Sequence, residues 1–483
     1  MPEPAPSSPP AADVETAVSR AQFLRLFTAV MLPMFLAAAD QTLLATATPA
    51  IARDLGDFRD SAWIAVGYLL SSTVMAPLYG RFGDRYGRRD ALVAALAVFA
   101  LGSAACAVSQ GMWWLIAGRL LQGLGGGGLM VMSQALLGEV VPPRQRPRFQ
   151  AYFGVVFVLA SVTGPVLGGL VVAQWSWRWL FLANLPLAGL AAWRVLRLPP
   201  SSRHGEPGQT HDALGVLLFA ASASLLLLWL TLSGHRFAWL SLPSVAMAGT
   251  ALILGAGLLW RERRHPHPFL PLELLRLRPV AWTGVTLVLF AAGLFALVFF
   301  LPVYLQVGHA AGAAHSGLLL LPLTAGLVLG SNLTGQVVAR TGRPDVPPRW
   351  GLVAAAAALG LLAVLPASPA VIGTLGVLAG LGFGTVMPTS QLVVQTAAGR
   401  ARLGAAAATV SLARSTGASV GTALFGALVF GLMSNAELQA ALHTSDPQAA
   451  QQVVHAFHIA FGCAAGMTLL AAWTASRVPR VTL

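Results

Sequence analysis

The sequence predicts an all-helical membrane protein of about fourteen spans. Three observations carry this: scarce charge, apolar stretches long enough to cross a bilayer, and arginines confined to alternate loops. Of 483 residues, 56% are hydrophobic and only 10% are charged, and the mean hydropathy is +0.71. Soluble chains carry roughly a quarter charged residues, so lipid must be the solvent for most of this one. The 50 glycines fit that solvent, because small residues let helices approach where no hydrophobic force drives them together.

Windows of about 20 apolar residues fall at 23–46, 61–80, 90–109, 113–137, 150–172, 178–197, 213–232, 238–259, 281–305, 315–338, 350–366, 370–396, 403–431 and 456–476. Long unbroken runs exclude a barrel, whose strands alternate every residue. One set of loops carries Arg81, Arg85, Arg88 and Arg89, then Arg144, Arg146 and Arg148, then Arg194, Arg197 and Arg203. The same set continues with Arg261, Arg263, Arg264, Arg276 and Arg278, with Arg340, Arg343 and Arg349, and with Arg400 and Arg402. The opposite set holds only Arg53, Arg59, Arg178 and Arg236. The positive-inside rule makes the first set cytoplasmic and, with an even span count, puts both termini inside. The expected location is a cell inner membrane.

All 30 basic residues are Arg, and the formal charge is +13. They sit in short clusters between apolar runs rather than on one surface with interleaved aromatics, which argues against nucleic acid as a partner. Cys106 and Cys463 each lie inside an apolar run and read as packing residues. Residues 1–20, rich in Pro, Ala and Ser, are expected to be a disordered cytoplasmic tail. Arg20, Arg25 and Ala37-Ala38-Ala39 imitate a signal peptide, but the long polar lead favours a first transmembrane helix.

The chain repeats itself. Gly123-LGGGGLMVMSQ, ending at Gln134, returns as Gly380-LGFGTVMPTSQ, ending at Gln391. Gly164-PVLGG returns as Gly417-ASVGT, and Gly80-RFGDRYGRR as Gly335-QVVARTGR. All three pairs are offset by eight windows and by nearly the same number of residues. A duplicated six-helix unit with two helices inserted between the copies accounts for that offset. The expected organisation is 21–198 as a first bundle, 199–279 as a linker with two inserted helices, and 280–483 as a second bundle.

These motifs resemble a known family. Gly80-Arg-Phe-Gly-Asp84-Arg85-Tyr-Gly87-Arg88-Arg89 resembles the signature loop of the major facilitator superfamily. Arg119-Leu-Leu-Gln122-Gly123 resembles its fourth-helix motif, and Gly164-Pro165-Val-Leu-Gly168-Gly169 its antiporter motif. Asp40-Gln-Thr-Leu-Leu, Trp177-Arg178-Trp179-Leu-Phe and Leu301-Pro302-Val-Tyr304-Leu-Gln306 are similar to the fourteen-span drug:proton antiporter branch. The resemblance implies the major facilitator fold, small-molecule substrates exchanged for protons, no cofactor beyond the proton gradient, a lipid environment and a monomer. It also implies that Asp84 latches the two bundles at the cytoplasmic side. The second copy has Ala339 where that Asp would stand, so the latch is one-sided.

The residues themselves add chemistry. Gly80 and Gly87 are expected to permit a sharp turn, with the loop arginines facing lipid phosphates. Arg119, Gln122, Gly123, Gly126 and Gly127 share one helical stripe, and Ser161, Gly164, Pro165, Gly168 and Gly169 form another with an expected kink. Charges at membrane depth mark pathways or relays, and three remain after loops and boundaries are removed: Asp40, Arg119 and Arg414. Glu139 and Asp212 read as solvated ends. At ~1.5 Å per residue, Asp40 lies roughly 13 Å inside Pro49 and Arg119 roughly 12 Å inside Gly111, so the two share a depth. They are the expected proton-coupling pair. Asp40, Tyr68, Met130, Phe295, Gln306 and Arg414 are the candidate lining of a substrate cavity. Transporters of divalent organic cations in the family this chain resembles carry an additional acid in the span matching 315–338; none lies there here, so the resemblance implies monocationic or neutral amphipathic substrates. The histidines, at loops and outer ends, suggest no metal site.

No GxxxxGK[ST] run exists, so direct ATP use is not expected. Three functions compete: broad drug efflux, dedicated export of one metabolite, antibiotic or lipid, and a membrane enzyme. The last needs paired acids or a nucleophile–base set at depth, which one lone Asp does not supply.

Overall fold

The computed structural model describes residues 20–55, 63–142, 146–200, 212–233, 237–238, 240–265, 272–305, 318–366, 368–431 and 447–481. The expected disordered tail at 1–19, the loop 201–211, Gln306, His309, His315 and His443 lie outside the described residues. The first helices are α1 (Arg20–Asp54), α2 (Trp63–Tyr86), α3 (Arg88–Ala107), α4 (Met112–Val140), α5 (Arg146–Gln174) and α6 (Arg178–Leu196). Then come α7 (Ala213–Leu232), α8 (Leu242–Arg264), the short α9 (Leu272–Arg276) and α10 (Arg278–Val303). The series ends with α11 (Leu321–Thr341), α12 (Pro347–Leu362), α13 (Pro369–Gly384), α14 (Val386–Ala398), α15 (Leu403–Gly431) and α16 (Pro447–Ser476). Among the described residues the β pairing is confined to one isolated bridge, Ser233 with Phe237. Each apolar window of the sequence is centred on one of these helices. By length and composition, 9 helical segments among the described residues can cross a membrane unaided.

Two packing centres organise the helices. One cluster of buried residues draws on α9 to α16, from Leu274 to Ala475. A second draws on α1 to α6, joined only at its edge by Leu403, Ala407 and Ala408 of α15. The helix α4 packs against α2 and α3, as α13 packs against α11 and α12.

Glycines make these approaches possible, and those matched in the sequence repeat face matched neighbours. A Cβ on Gly123 would stand 2.4 Å from the Tyr68 carbonyl of α2, and one on Gly127 2.2 Å from that of Ser72. Their counterparts Gly380 and Gly384 would meet the carbonyls of Leu323 and Leu327 on α11 at 2.1 and 2.3 Å. Gly125 faces Phe99 of α3 and its counterpart Gly382 faces Gly351 of α12. Likewise Gly417 and Gly421 lie on Val288 and Ala292 of α10. In the other stripe Gly164 and Gly168 are buried, but Gly169 is exposed with open space around it. It therefore contributes nothing to packing in this conformation.

Two copies of one motif differ where a proline intervenes. The window 370–396 is not one helix but two, α13 and α14, parted at Thr385. Pro388 has no N–H for the Gly384 carbonyl, so the helical ladder breaks there. The matched residue in the first copy is Val131, and α4 runs unbroken through it.

The turn glycines are partly as expected. Gly87, between α2 and α3, has φ 105°, and its counterpart Gly342, after α11, has φ 66°. Both need a residue without Cβ. Gly80 is a correction: it lies inside α2, and its role is contact, since a Cβ there would come 2.7 Å from the Gly404 carbonyl.

The inserted pair α7–α8 packs on itself and then on α2 and α15, through Phe219, Leu258, Val74 and Leu412. Asp212, expected to be solvated, is buried. It caps α7 through the Gly215 N–H at 2.8 Å and pairs with Arg261 at 2.6 Å. Burial pushes its carboxyl up, but those two donors prevail and leave it below the usual range. At the other end of the bundle, Asp54 accepts from the Trp177 indole and from Arg178, both at 2.9 Å. Those bonds, Trp177 first, hold Asp54 below the ordinary carboxylate range. The Trp-Arg-Trp motif thus ties the end of α1 to the start of α6.

The glycine contacts give a direct test. Gly384→Val should lower the melting temperature of the purified protein, because overpacking of this kind costs roughly 1–3 kcal/mol. Gly189→Val, where nothing lies within 4 Å, should leave it nearly unchanged. Equal melting temperatures for the two variants would contradict the packing argument.

Candidate functional site

The charges at membrane depth meet inside the first bundle. Arg119 Nη1 on α4 lies 2.5 Å from Asp40 Oδ2 on α1. The other carboxylate oxygen, Oδ1, accepts from Gln122 Nε2 at 2.8 Å and from Asn184 Nδ2, on α6, at 3.0 Å. The same two amide nitrogens also reach Ser103 Oγ of α3, at 2.8 and 3.0 Å. Arg119 is further held by Gln122 Oε1 at 2.5 Å and by the Ile64 carbonyl at 3.0 Å, with its guanidinium 4.4 Å from the Tyr68 ring centre. Asp40 is 2% exposed and Arg119 1%. An ionised pair so deep persists only if the remaining lone pairs and protons are also bonded, and here α2, α4 and α6 supply those bonds.

This arrangement does one thing chemically: Arg119 and two amides hold both oxygens of one buried carboxylate.

A second cluster closes the Arg-rich end. Asp84, two residues before the end of α2, accepts from the backbone N–H of Gly404 at 2.8 Å and of Ala405 at 2.9 Å. Those groups open α15, whose dipole adds to the attraction. Arg88 donates to Asp84 at 2.7 Å, to Glu139 at 3.0 Å and to the Arg400 carbonyl at 2.9 Å. Its side chain is 0% exposed, so Arg88 does not face lipid phosphates. Two carboxylates and a carbonyl enclose it instead. Glu139 is likewise a paired group and not a solvated end. Nearby, Gln395 donates to the Gln134 carbonyl at 3.2 Å. Arg146 is held by the carbonyls of Val141 and Gly138 at 2.9 and 2.6 Å. Burial, and then the charges of Arg400 and Arg88, bring Arg146 down to about 10. Arg85 lies outside this cluster, 5.3 Å from the Tyr86 ring.

The candidate cavity residues separate. Asp40 and Tyr68 are buried in the first bundle, Met130 is half-buried against its core, and Phe295 is half-buried against the second core. Arg414 is half-buried on α15. Of the antiporter stripe, Gly164, Gly168 and Gly169 lie on α5, as does the backbone of Pro165, in one unbroken helix from Arg146 to Gln174. Sequence reasoning missed Asn184 and Ser103. A usable signal existed for Asn184: it lies six residues into α6, at ~9 Å by helical rise, close to the depth of Arg119 in α4. It also passed over His458, which hydrogen-bonds Tyr304 at 3.1 Å.

Removing the latch acid should be visible at two backbone amides. Asp84→Ala should speed hydrogen exchange in 403–408 by roughly tenfold or more, the value of a charge-assisted bond. Exchange at the wild-type rate would mean that these bonds do not hold the end closed.

Comparison with known proteins follows this geometry. The family model of the Major Facilitator Superfamily matches residues 30–422. An uncharacterised MFS-type transporter of Mycobacterium tuberculosis is 36% identical over 406 residues, covering 83% of this chain and 59% of that protein. Multidrug transporter protein MdtP of Bacillus subtilis is 32% identical over 322 residues, 66% of this chain and 59% of its own. This chain therefore spans 59% of the length of each. Among solved structures, the human organic anion transporter MFSD10 superposes with a TM-score of 0.65 at 18% identity, covering 94% of this chain and 99% of that one.

Proposed function

The chain belongs to the major facilitator superfamily, and from that premise we propose that it is a proton-coupled antiporter exporting small lipophilic or amphipathic compounds by alternating access. It is a multi-pass membrane protein of transporter type, not an enzyme. Relatives named as a multidrug transporter and an efflux pump support outward transport of small molecules. The finer reading is of fourteen spans in two six-helix bundles with an inserted pair, in a cell inner membrane, with both termini cytoplasmic and the chain acting as a monomer. The arginine asymmetry between loops supports that orientation.

One observation carries the coupling: a carboxylate sealed at membrane depth whose ionic partner among the described residues sits on another helix. Asp40 takes a proton when the carrier faces outward and yields it when Arg119 returns, in competition with substrate, while the Asp84 latch closes the cytoplasmic end between the two. A monocationic preference would follow from Asp40 only if its charge faced the substrate. With both its oxygens bonded, Asp40 adds no support to it beyond the absence of an acid in 315–338. Dedicated export of one compound, instead of broad efflux, is separated from this reading by a resistance screen across unrelated toxic compounds.

Two measurements test the proposal. Purified protein in weak buffer should release protons when substrate is added, and Asp40→Asn should release none while remaining folded. If Asp40→Asn still couples substrate movement to a proton gradient in liposomes, the pair is structural and the mechanism is wrong. A reporter fused after residue 207 should register as cytoplasmic, and a periplasmic signal would overturn the topology.

A further inference from the structure

The three charges at membrane depth do not share one fate. Asp40 and Arg119 neutralise each other, and their neighbours satisfy what remains. Arg414 has no acid, carbonyl or ring partner among the described residues. It sits 11 residues into α15, ~16 Å from its start by helical rise, too far for its side chain to extend to the Arg-rich end. An arginine at such depth without a partner is costly unless water or a ligand answers it, and Arg414 is half-buried, so something can reach it.

The packing of α15 fixes where that something is. Gly417 and Gly421 rest on α10, Gly404 meets Gly80 of α2, and Leu412 joins the α2–α7–α8 cluster. Arg414 follows Leu412 by two residues, ~200° around the helix, so it faces almost directly away from the inserted pair. It falls instead on the stripe of Leu403 and Ala407, about three and two helical turns earlier, which pack into the core of the first bundle. Arg414 therefore points into the space between the two bundles. The described hydrogen bonds that join the bundles lie at the Asp84 end, nine or more residues before Arg414. The interior between the bundles thus carries one uncompensated positive charge among the described residues.

We propose that Arg414 is the countercharge for substrate, and that the chain carries amphipathic organic anions: an apolar body bearing one carboxylate or sulfonate. The guanidinium forks onto such a group through two parallel N–H donors. This rests on the efflux reading for the existence of a substrate, but not on proton coupling.

Binding to the purified full-length protein in detergent tests it, with dansyl-undecanoic acid and its methyl ester as probes and energy transfer from tryptophan as the readout. The wild type should prefer the acid by roughly tenfold, the value of a charged hydrogen bond. Arg414→Gln should erase the preference while still binding the ester, which shows that it is folded, and Arg414→Lys should retain most of it. Equal binding of acid and ester by the wild type overturns the proposal. So does a preference that survives in Arg414→Gln, or failure of both probes to bind. Loss of proton release in Asp40→Asn, by contrast, leaves the acid preference intact, so coupling and charge selection fail separately.

Discussion

Everything in this molecule depends on helices touching backbone to backbone. Lipid gives a membrane helix no reason to leave it for another helix, so association must come from close packing and from the bonds that closeness allows. Glycine supplies the closeness at Gly123 and Gly127, at Gly380 and Gly384, and at Gly417 and Gly421. The polar chemistry follows from it. Arg119 reaches the Ile64 carbonyl and Tyr68 ring only because α2 lies against the glycine face of α4. Asp84 reaches the α15 amides only because Gly80 and Gly404 let α2 and α15 meet.

Much of this was legible in the sequence, for reasons that can be named. The Asp40–Arg119 pair was readable because a charge at membrane depth is rare, and two at one depth need each other. The repeat was readable because the glycines that permit a contact must recur wherever the contact does. What stayed hidden has a common cause. Asn184 and Ser103 are neutral, and neutral polar groups are ordinary in membrane helices, so only the lateral arrangement marks them. Gly80 was mistaken for a turn because glycine serves both turning and touching, and sequence does not tell the uses apart. Glu139 and Asp212 were misplaced because position along a helix gives depth but not neighbours. Asp212 finds Arg261 on the adjoining helix, and Glu139 finds Arg88.

The two polar centres differ in how they are built. The Asp40 cluster is internal to one bundle and satisfied on every side, so it is a place where charge is stored. The Asp84 cluster spans the two bundles and uses backbone amides of one to hold a carboxylate of the other, so it registers their relative position. Arg88 binds that register to Glu139, giving three helices and the turn before α15 one shared set of bonds.

Pro388 sets the two copies of the fourth-helix motif apart in mechanical terms. With Val131 at the equivalent place, α4 is a stiff rod of 29 residues. Its counterpart is two shorter rods, of 16 and 13 residues, meeting at Thr385. The stiffness of a helix resides in its hydrogen-bonded ladder, and a missing rung is where it flexes most cheaply. The duplicated architecture therefore has unequal limbs: a rigid lever in the first bundle, carrying Arg119, and a jointed one in the second. A load shared between them bends the second limb first.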